Sequence, residues 1–239
     1  MSQSLMPEDV HTSDEIRFFD FLFFQVRPAW RFRTQDQRDG DLREFLAAID
    51  GFGKPIEIRP YSTLGLKKDC DFLLWLVALD LETLQEFVSL LYKTELGKHL
   101  ALNYSYLALT RPSQYVGKHA HPPADTDDSS DKVDFKYLFV YPFTKTHEWY
   151  QLPLEERGKM MSQHVGIGHE YPSVKVFTSY SFGLDDPEFV VVFESDSPDD
   201  FQKLVMRLRE SAVRPYTECD TPIFTCVKRP FEATLRLLG

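Results

Sequence analysis

The feature that most constrains the fold of this chain is an internal repeat. Residues 61–90, YSTLGLKKDCDFLLWLVALDLETLQEFVSL, can be aligned with residues 180–205, YSFGLDDPEFVVVFESDSPDDFQKLV. Each copy begins with Tyr-Ser, passes a Gly-Leu pair and charged residues, and continues into an apolar strand, at 72–79 and at 189–194. An acidic turn and an amphipathic helix follow in both copies. Such self-similarity predicts one supersecondary unit that occurs twice.

The segments upstream of the two copies are also alike. DFLFFQVRPAW, at 20–30, resembles KYLFVYPFTKTHEW, at 136–149, and each leads into a helix, which in the second half is LEERGKMMSQHVGIGH. Each half therefore has the order strand, helix, strand, strand, helix, strand, which is the ferredoxin-like pattern. We predict an α+β protein of two tandem ferredoxin-like repeats, of the dimeric α+β barrel type.

Local signals divide the chain and mark where its helices begin. Asp80-Leu-Glu-Thr and Ser197-Pro-Asp-Asp are typical of helix starts, the second with proline at the first helical position. The segment GKHAHPPADTDDSSDK is rich in Pro, Asp and Ser, as surface linkers are. We predict an N-terminal half at 15–116, a linker at 117–132 and a C-terminal half at 133–239.

Charge and composition exclude several classes of protein. The 239 residues carry a formal net charge of −10, which argues against nucleic-acid binding and requires a local basic pocket for any anionic ligand. The polar, acidic start lacks the features of a signal peptide, and no apolar run has the length of a membrane span. Three cysteines at unrelated spacings indicate neither a disulfide framework nor a zinc site. We expect a cytoplasmic protein with reduced thiols.

His164 is the first candidate ligand. Met160, Ile167 and Gly168 lie at helical spacing from it, so its side chain is on an apolar helix face. This arrangement suits a hydrogen-bonded core histidine, but Gly166 and Gly168 would also let a flat ligand approach the helix. A single histidine without a partner at zinc spacing favours an axial haem ligand over a zinc site.

Further candidates each have a functional and a structural interpretation. Tyr141 and Lys145, in YPFTK, are either active-site residues or a strand-end tyrosine and a solvated lysine. His119 and His121, in KHAHP, are either metal ligands or exposed loop residues. Trp149 is typical of a core residue and Arg214 of a surface charge, and none of these signals identifies a function alone.

Taken together, these segments resemble the chlorite dismutase superfamily, and in particular its coproheme decarboxylases. The motifs that carry the likeness are YPFTKTHEWYQLPLEERGKMMSQH, EYP-SVK and FGLDDPEFVVVFE. It is strongest from Phe135 to about Cys226 and weaker in the first half, where RPSQYVGKHAHP resembles the distal-histidine branch. The resemblance implies the same duplicated fold, a homo-oligomer such as a pentamer, and conversion of iron coproporphyrin III to haem b with hydrogen peroxide.

The resemblance also implies a role for individual residues. His164 matches the proximal iron ligand, Tyr141 the catalytic tyrosine, and His119 the distal histidine, although His121 could take that place. The remaining residues expected beside the cofactor are the propionate-facing cations Lys145 and Arg214, together with Trp149 and Val176. Tyr141 would be oxidised to a phenoxyl radical and take hydrogen from a propionate, which then loses carbon dioxide and becomes a vinyl group. His119 would move a proton on peroxide.

One departure from the family pattern separates decarboxylation from chlorite chemistry. Chlorite-degrading members carry an arginine in a V-K-R context, where this chain has Val174-Lys175-Val176. Their counterpart of Tyr141 is aliphatic. The sequence therefore favours a decarboxylase, with a chlorite dismutase or peroxidase-like enzyme as the alternative. A non-catalytic haem carrier would not need Tyr141.

Overall fold

The computed structural model describes residues 16–111, 115 and 134–239, and they divide into two compact units. Unit 1 comprises Met1–Leu109 and Cys226–Gly239, and unit 2 comprises Thr110–Thr225. The C-terminal half predicted from the sequence extends to residue 239, whereas the last fourteen residues belong to unit 1, because Leu235 and Leu238 are buried in its core. The predicted linker at 117–132 lies outside the described residues.

Unit 1 has the order of elements expected for the first repeat. Its elements are β1 (Phe18–Val26), α1 (Pro28–Arg31), α2 (Gln35–Asp50), β2 (Glu57–Ser62), β3 (Phe72–Ala78), α3 (Leu81–Lys93), α4 (Glu95–Lys98) and β4 (Leu100–Leu109). The strands pair antiparallel in the order β4-β1-β3-β2. This order, with the first and third strands central, is that of a ferredoxin-like sheet.

The core of unit 1 is made of large apolar side chains. All seven residues of β3, FLLWLVA, are buried, as expected for a central strand that is covered on both faces. α2 begins in a capping box between Thr34 and Gln37, and α3 begins at the N-cap Asp80, whose carboxylate accepts the backbone N–H of Thr83. Helix α2 contributes Leu42 and Phe45 to the core.

Unit 2 repeats this order of elements. They are β5 (Tyr137–Lys145), α5 (His147–Gln151), α6 (Leu154–His169), β6 (Val174–Tyr180), β7 (Phe189–Ser195), α7 (Pro198–Arg209), a 3₁₀ turn (Arg214–Tyr216) and β8 (Thr217–Cys219). Its strands pair antiparallel in the order β6-β7-β5-β8, which corresponds to that of unit 1. The prediction of an α+β protein with two ferredoxin-like repeats is confirmed.

The chain ends with β9 (Phe224–Lys228), which pairs with β2 at Tyr61, and α8 (Phe231–Arg236). Several local predictions are also confirmed. Helix α6 covers the predicted segment, α7 has Ser197 as its N-cap and Pro198 as its first residue, and the three cysteines are free. Among the residues that the structure describes, no helix is long and apolar enough to cross a bilayer.

Candidate functional site

One face of the unit 2 sheet carries both core residues and candidate site residues. Side chains alternate along a strand, so Phe139 and Tyr141 share a face. Tyr141 pairs with Val191, and Phe139 pairs with Phe193, which in turn pairs with Val176 on β6. All of these side chains except Val176 pack in a cluster with residues of α6 and α7, so this part of the face lies beneath those helices. On β6 this face is open at Val176, whose side chain is 54% exposed, and at Thr178, which is also exposed.

Lys145, at the end of β5, is a buried cation that pairs with no carboxylate of the described residues. It is 7% exposed, and its Nζ lies 4.9 Å from the ring centroid of Phe143 and 4.6 Å from that of Trp149. Its ammonium forms no ion pair within the described ranges. Burial lowers the pKa of Lys145 to about 8, against the opposing effect of Glu188. A buried ammonium between two aromatic rings is well suited to receive an anionic group of a ligand.

Glu188 fixes the backbone at this strand end. Its Oε2 accepts the backbone N–H of Lys145 at 2.8 Å and the hydroxyl of Tyr150 at 2.6 Å. Burial and the bond to this carboxylate raise the pKa of Tyr150. Glu188 therefore holds the segment that carries Lys145 without forming an ion pair with its ammonium.

His164 lies on α6 and is neutral at physiological pH. Burial lowers its pKa to about 4, and the nearby charge of Lys145 acts in the same direction. Its Nδ1 is buried and has no hydrogen-bond partner in the described part of the chain. A Cβ built on Gly168, one turn further along, would meet no atom within 4 Å. An unprotonated imidazole beside open space is the form that binds a metal ion, so the position fits an iron porphyrin.

Tyr141 is half-buried on β5 and stays protonated at neutral pH. Its ring stacks on that of Phe193 with 5.9 Å between centroids. Burial raises its pKa well above the usual range, the charge of Asp220 adds to this effect, and Arg209 and Arg214 oppose it. The phenol thus retains a hydrogen atom that an oxidation step could remove.

Arg214, in the 3₁₀ turn, is bound to a carboxylate that the sequence analysis did not single out. Its Nη1 donates to Oδ2 of Asp220 at 2.6 Å, and Nη1 of Arg209 lies 2.8 Å from the same oxygen. Sequence reasoning missed Arg209, Asp220 and Glu188, because each lies within an ordinary run of charged residues. Only their placement in the fold distinguishes them from solvated surface charges.

Trp149 is buried between several of these groups. Its ring lies 5.5 Å from that of Tyr216 and 6.2 Å from that of Tyr115, while Lys145 contacts it from the strand. The indole ring of Trp149 thus covers one side of the Lys145 ammonium. His119 and His121, the candidates for the distal side, lie outside the described residues.

The charged and titratable residues of the described site influence one another electrostatically. The charge of Lys145 lowers the pKa of His164, and the charge of Arg214 acts to lower the pKa of both Lys145 and Tyr141. A neutral imidazole, a buried cation, a protonated phenol and an open apolar surface suit a flat, apolar ligand that carries carboxylates and a metal ion.

Comparison with known proteins identifies the family of the chain. The chlorite dismutase family model matches residues 38–229. The chain is 34% identical over 212 residues, 88% of this chain and 89% of the relative, to a coproheme decarboxylase of Mycolicibacterium smegmatis. Among solved structures, the chlorite dismutase of Candidatus Nitrospira defluvii in complex with imidazole superposes with a TM-score of 0.83 at 24% identity, covering 93% of this chain and 94% of that one. A variant of that enzyme in complex with cyanide gives 0.84 at 22% identity, with the same coverage. The chain belongs to the chlorite dismutase family.

Proposed function

We propose that this protein is a peroxide-dependent coproheme decarboxylase, which converts iron coproporphyrin III to haem b by oxidative decarboxylation of two propionates. The observation that carries the proposal is Lys145, a buried ammonium without an ion pair among the described residues, on the same strand as the half-buried Tyr141. The curated relative named as a coproheme decarboxylase supports the same reaction.

In this proposal the residues of unit 2 bind the porphyrin from several sides. His164 binds the iron through its neutral imidazole, and Trp149 and Val176 contact the apolar macrocycle. Lys145 and Arg214 bind propionates, because a carboxylate that leaves water must meet a cation or a hydrogen-bond donor. When bound, the iron porphyrin supplies the oxidising chemistry together with hydrogen peroxide.

Tyr141 performs the hydrogen transfer. Oxidation removes an electron and a proton together from its phenol, and the resulting phenoxyl radical takes a hydrogen atom from the β-carbon of a propionate. Loss of carbon dioxide and a second electron leaves a vinyl group, so each propionate consumes one hydrogen peroxide and yields one carbon dioxide and two water molecules. Phenylalanine at this position would have no hydroxyl hydrogen to lose.

A distal histidine completes the proposal. We assign this role to His119, which would accept a proton from peroxide and return it to the departing oxygen. His121 is the alternative. His119→Ala is expected to slow the peroxide-dependent step with little change in coproheme affinity, and His121→Ala is expected to have little effect. The reverse ranking would move the role to His121.

Val176 bears on the choice between decarboxylation and chlorite chemistry. It stands where chlorite-degrading relatives carry an arginine, and its half-exposed aliphatic side chain offers no charge to an oxyanion. We therefore favour decarboxylation over a chlorite dismutase or peroxidase-like activity. As in the family resemblance, we propose a homo-oligomer, with a pentamer as the expected state.

The test is to add iron coproporphyrin III and hydrogen peroxide to the apoprotein and to follow the porphyrin mass. The expected result is the loss of two carboxyl groups, with haem b as the final product. Porphyrin that binds and keeps all four propionates through repeated peroxide additions would contradict the proposal. Oxygen release from chlorite, measured on the haem-loaded protein, would then support the alternative.

A further inference from the structure

Arg209 and Arg214 both contact Asp220. The function proposed above gives Arg214 a role as a propionate-binding cation but gives Arg209 none. Oδ2 of Asp220 lies 2.8 Å from Nη1 of Arg209 and 2.6 Å from Nη1 of Arg214. Asp220 is the most enclosed of the three, since its side chain is 15% exposed. Two guanidinium groups and one carboxylate leave one unit of positive charge that no other described carboxylate pairs with.

This excess charge lies beside Tyr141. Arg209 and Tyr141 line the same cleft of about 440 Å³, which is otherwise largely apolar and is formed by β5, one flank of α7 and the approach to β9. The phenol of Tyr141 also lies within the fields of all three charged groups. The cleft is too small for a whole porphyrin but offers room for a substituent at its edge.

The rest of α7 shows that this arrangement is unusual for the helix. Arg207, two residues before Arg209, pairs with Glu210 on the exposed surface, and Lys203 pairs with Asp199 one turn earlier. Both pairs are local to the helix and balance one positive charge with one negative charge. Arg209 instead shares a carboxylate from beyond β8 with a second arginine.

We propose that Arg209 and Arg214, held side by side by Asp220, form a carboxylate-binding pair that positions the reacting propionate at Tyr141. The apolar wall of the cleft would contact the methylene carbons of that propionate, and Arg209 would bind its carboxylate. Asp220 acts as a positioning residue, since it fixes the directions of both guanidiniums. This inference rests on the proposed function, and it adds Arg209 and Asp220 to the residues that select coproheme.

The main test compares Arg209→Ala with the matched control Arg207→Ala. Binding of iron coproporphyrin III and of haem b is titrated by absorbance, and the porphyrin mass is followed after peroxide addition. Arg209→Ala is expected to weaken coproheme binding about tenfold, with a smaller loss for haem b, whose two reacting propionates are absent. Arg209→Lys should recover part of that loss, and Arg207→Ala should match the wild type.

Asp220→Asn separates a ligand-binding role from a purely structural one. It removes the negative charge that competes with the substrate, so coproheme affinity is expected to stay equal or rise while decarboxylation slows. If the cluster only stabilised the fold, Arg209→Ala and Asp220→Asn would both lose affinity for both porphyrins. That result would overturn the inference, as would an Arg209→Ala variant that equals Arg207→Ala.

The outcome also distinguishes this inference from the proposed function. A wild-type protein that decarboxylates coproheme, with equal behaviour of the two alanine variants, would overturn only the inference. A wild-type protein that binds coproheme without decarboxylating it would overturn the proposed function, while the binding titrations would still test the arginine pair. A wild-type protein that does not bind coproheme would overturn both.

Discussion

Units 1 and 2 have the same topology but use the space between helix and sheet differently. In unit 1, α2 buries Leu42 and Phe45 against the sheet. In unit 2, the corresponding helix α6 has a single fully buried residue, Ile167, and presents His164 instead. The corresponding central strands differ in the same way, since all seven residues of β3 are buried whereas three residues of β7 are only partly buried.

This difference indicates how a repeat can take on a function without a change of fold. A close-packed helix and sheet stabilise a unit through apolar burial, of about 1.5–3 kcal/mol for each large side chain. A unit that leaves polar and half-exposed groups at the same interface gives up part of that stabilisation. In unit 2 these groups are the ones expected to bind a ligand. Unit 1 is therefore expected to determine stability, and unit 2 to determine binding and reaction.

The largest effect that this comparison predicts is on the reaction at Tyr141. Tyr141→Phe keeps the ring that stacks on Phe193 and removes only the hydroxyl, so decarboxylation should nearly stop. Coproheme binding should stay within about tenfold, roughly 1.4 kcal/mol. Product formation is measured by porphyrin mass. Tyr137→Phe, on the same strand and in the same cluster, is the control and should react normally. A fully active Tyr141→Phe would move the radical to Tyr150 or Trp149.

The next effect concerns the ligand on α6. His164→Ala should lose or severely weaken binding of both porphyrins, because it removes the only imidazole that the proposal places at the proximal face of the iron. Added imidazole should restore part of the binding, which is followed in the Soret band. His169→Ala, at the exposed end of the same helix, is the control. An unchanged Soret band in His164→Ala would exclude this residue as the ligand.

The comparison can also be tested in unit 1. Phe45 is fully buried on α2, and Phe45→Ala should lower the free energy of unfolding by about 3–5 kcal/mol. Denaturant unfolding of the apoprotein measures this change. The fraction that remains folded should bind coproheme with wild-type affinity. A large loss of affinity without a loss of stability would show that unit 1 takes part in binding.

Sequence reasoning identified the fold because the repeat is encoded locally. The helix starts at Asp80 and Ser197 are readable from residue types alone, and so is the apolar strand predicted at 72–79, which the structure ends at Ala78. Residue types alone did not predict that residues 226–239 belong to unit 1. Their burial in unit 1 depends on contacts with residues that are distant in sequence, and no local signal marks such contacts.

The candidate site was predicted less completely than the fold. The motif resemblance pointed to His164, Tyr141 and Lys145, which the structure describes on α6 and β5 of one unit. The supporting carboxylates Glu188 and Asp220 have no signature, because a carboxylate in a charged loop looks the same whether it binds solvent or a neighbouring side chain.

Lys145 connects the site to pH dependence. In the unfolded chain lysine holds its proton to about pH 10.5, whereas Lys145 in the folded protein releases it near pH 8. The unfolded state therefore binds more protons between these values, and the stability of the apoprotein should rise with pH across this interval. The cost of the buried charge is about 3 kcal/mol for this lowering of the pKa, and it is fully present well below pH 8.

Lys145→Met removes that cost. Its apoprotein should be more stable than the wild type at pH 7, and the difference should shrink as the pH rises from 8 to 10.5, as denaturant unfolding would show. Coproheme binding should weaken by about 1.5–3 kcal/mol, and more than haem b binding does, because the substrate carries two more propionates. Equal losses for both porphyrins would place Lys145 away from the reacting propionates, and a pH-independent stability difference would contradict the buried-charge interpretation.

The smallest effect should come from substitution of Val176. Comparing it with Val174 distinguishes a core position from a ligand-binding position on the same strand. Val174 and Val176 point to the same face of β6, but Val174 is 7% exposed in the core cluster and Val176 is 54% exposed. Val174→Thr buries a hydroxyl and should lower the free energy of unfolding of the apoprotein by about 1–3 kcal/mol. Val176→Thr should change it by less than about 0.5 kcal/mol, as at other surface positions.

In the presence of coproheme the ranking of the two variants should reverse, because a porphyrin over Val176 would cover the side chain. Its threonine variant should then bind about fivefold more weakly, roughly 1 kcal/mol, while Val174→Thr keeps its affinity. If Val176→Thr leaves coproheme affinity unchanged, the open apolar face of β6 does not contact the macrocycle, and the difference between the two units lies in α6 and β5 alone.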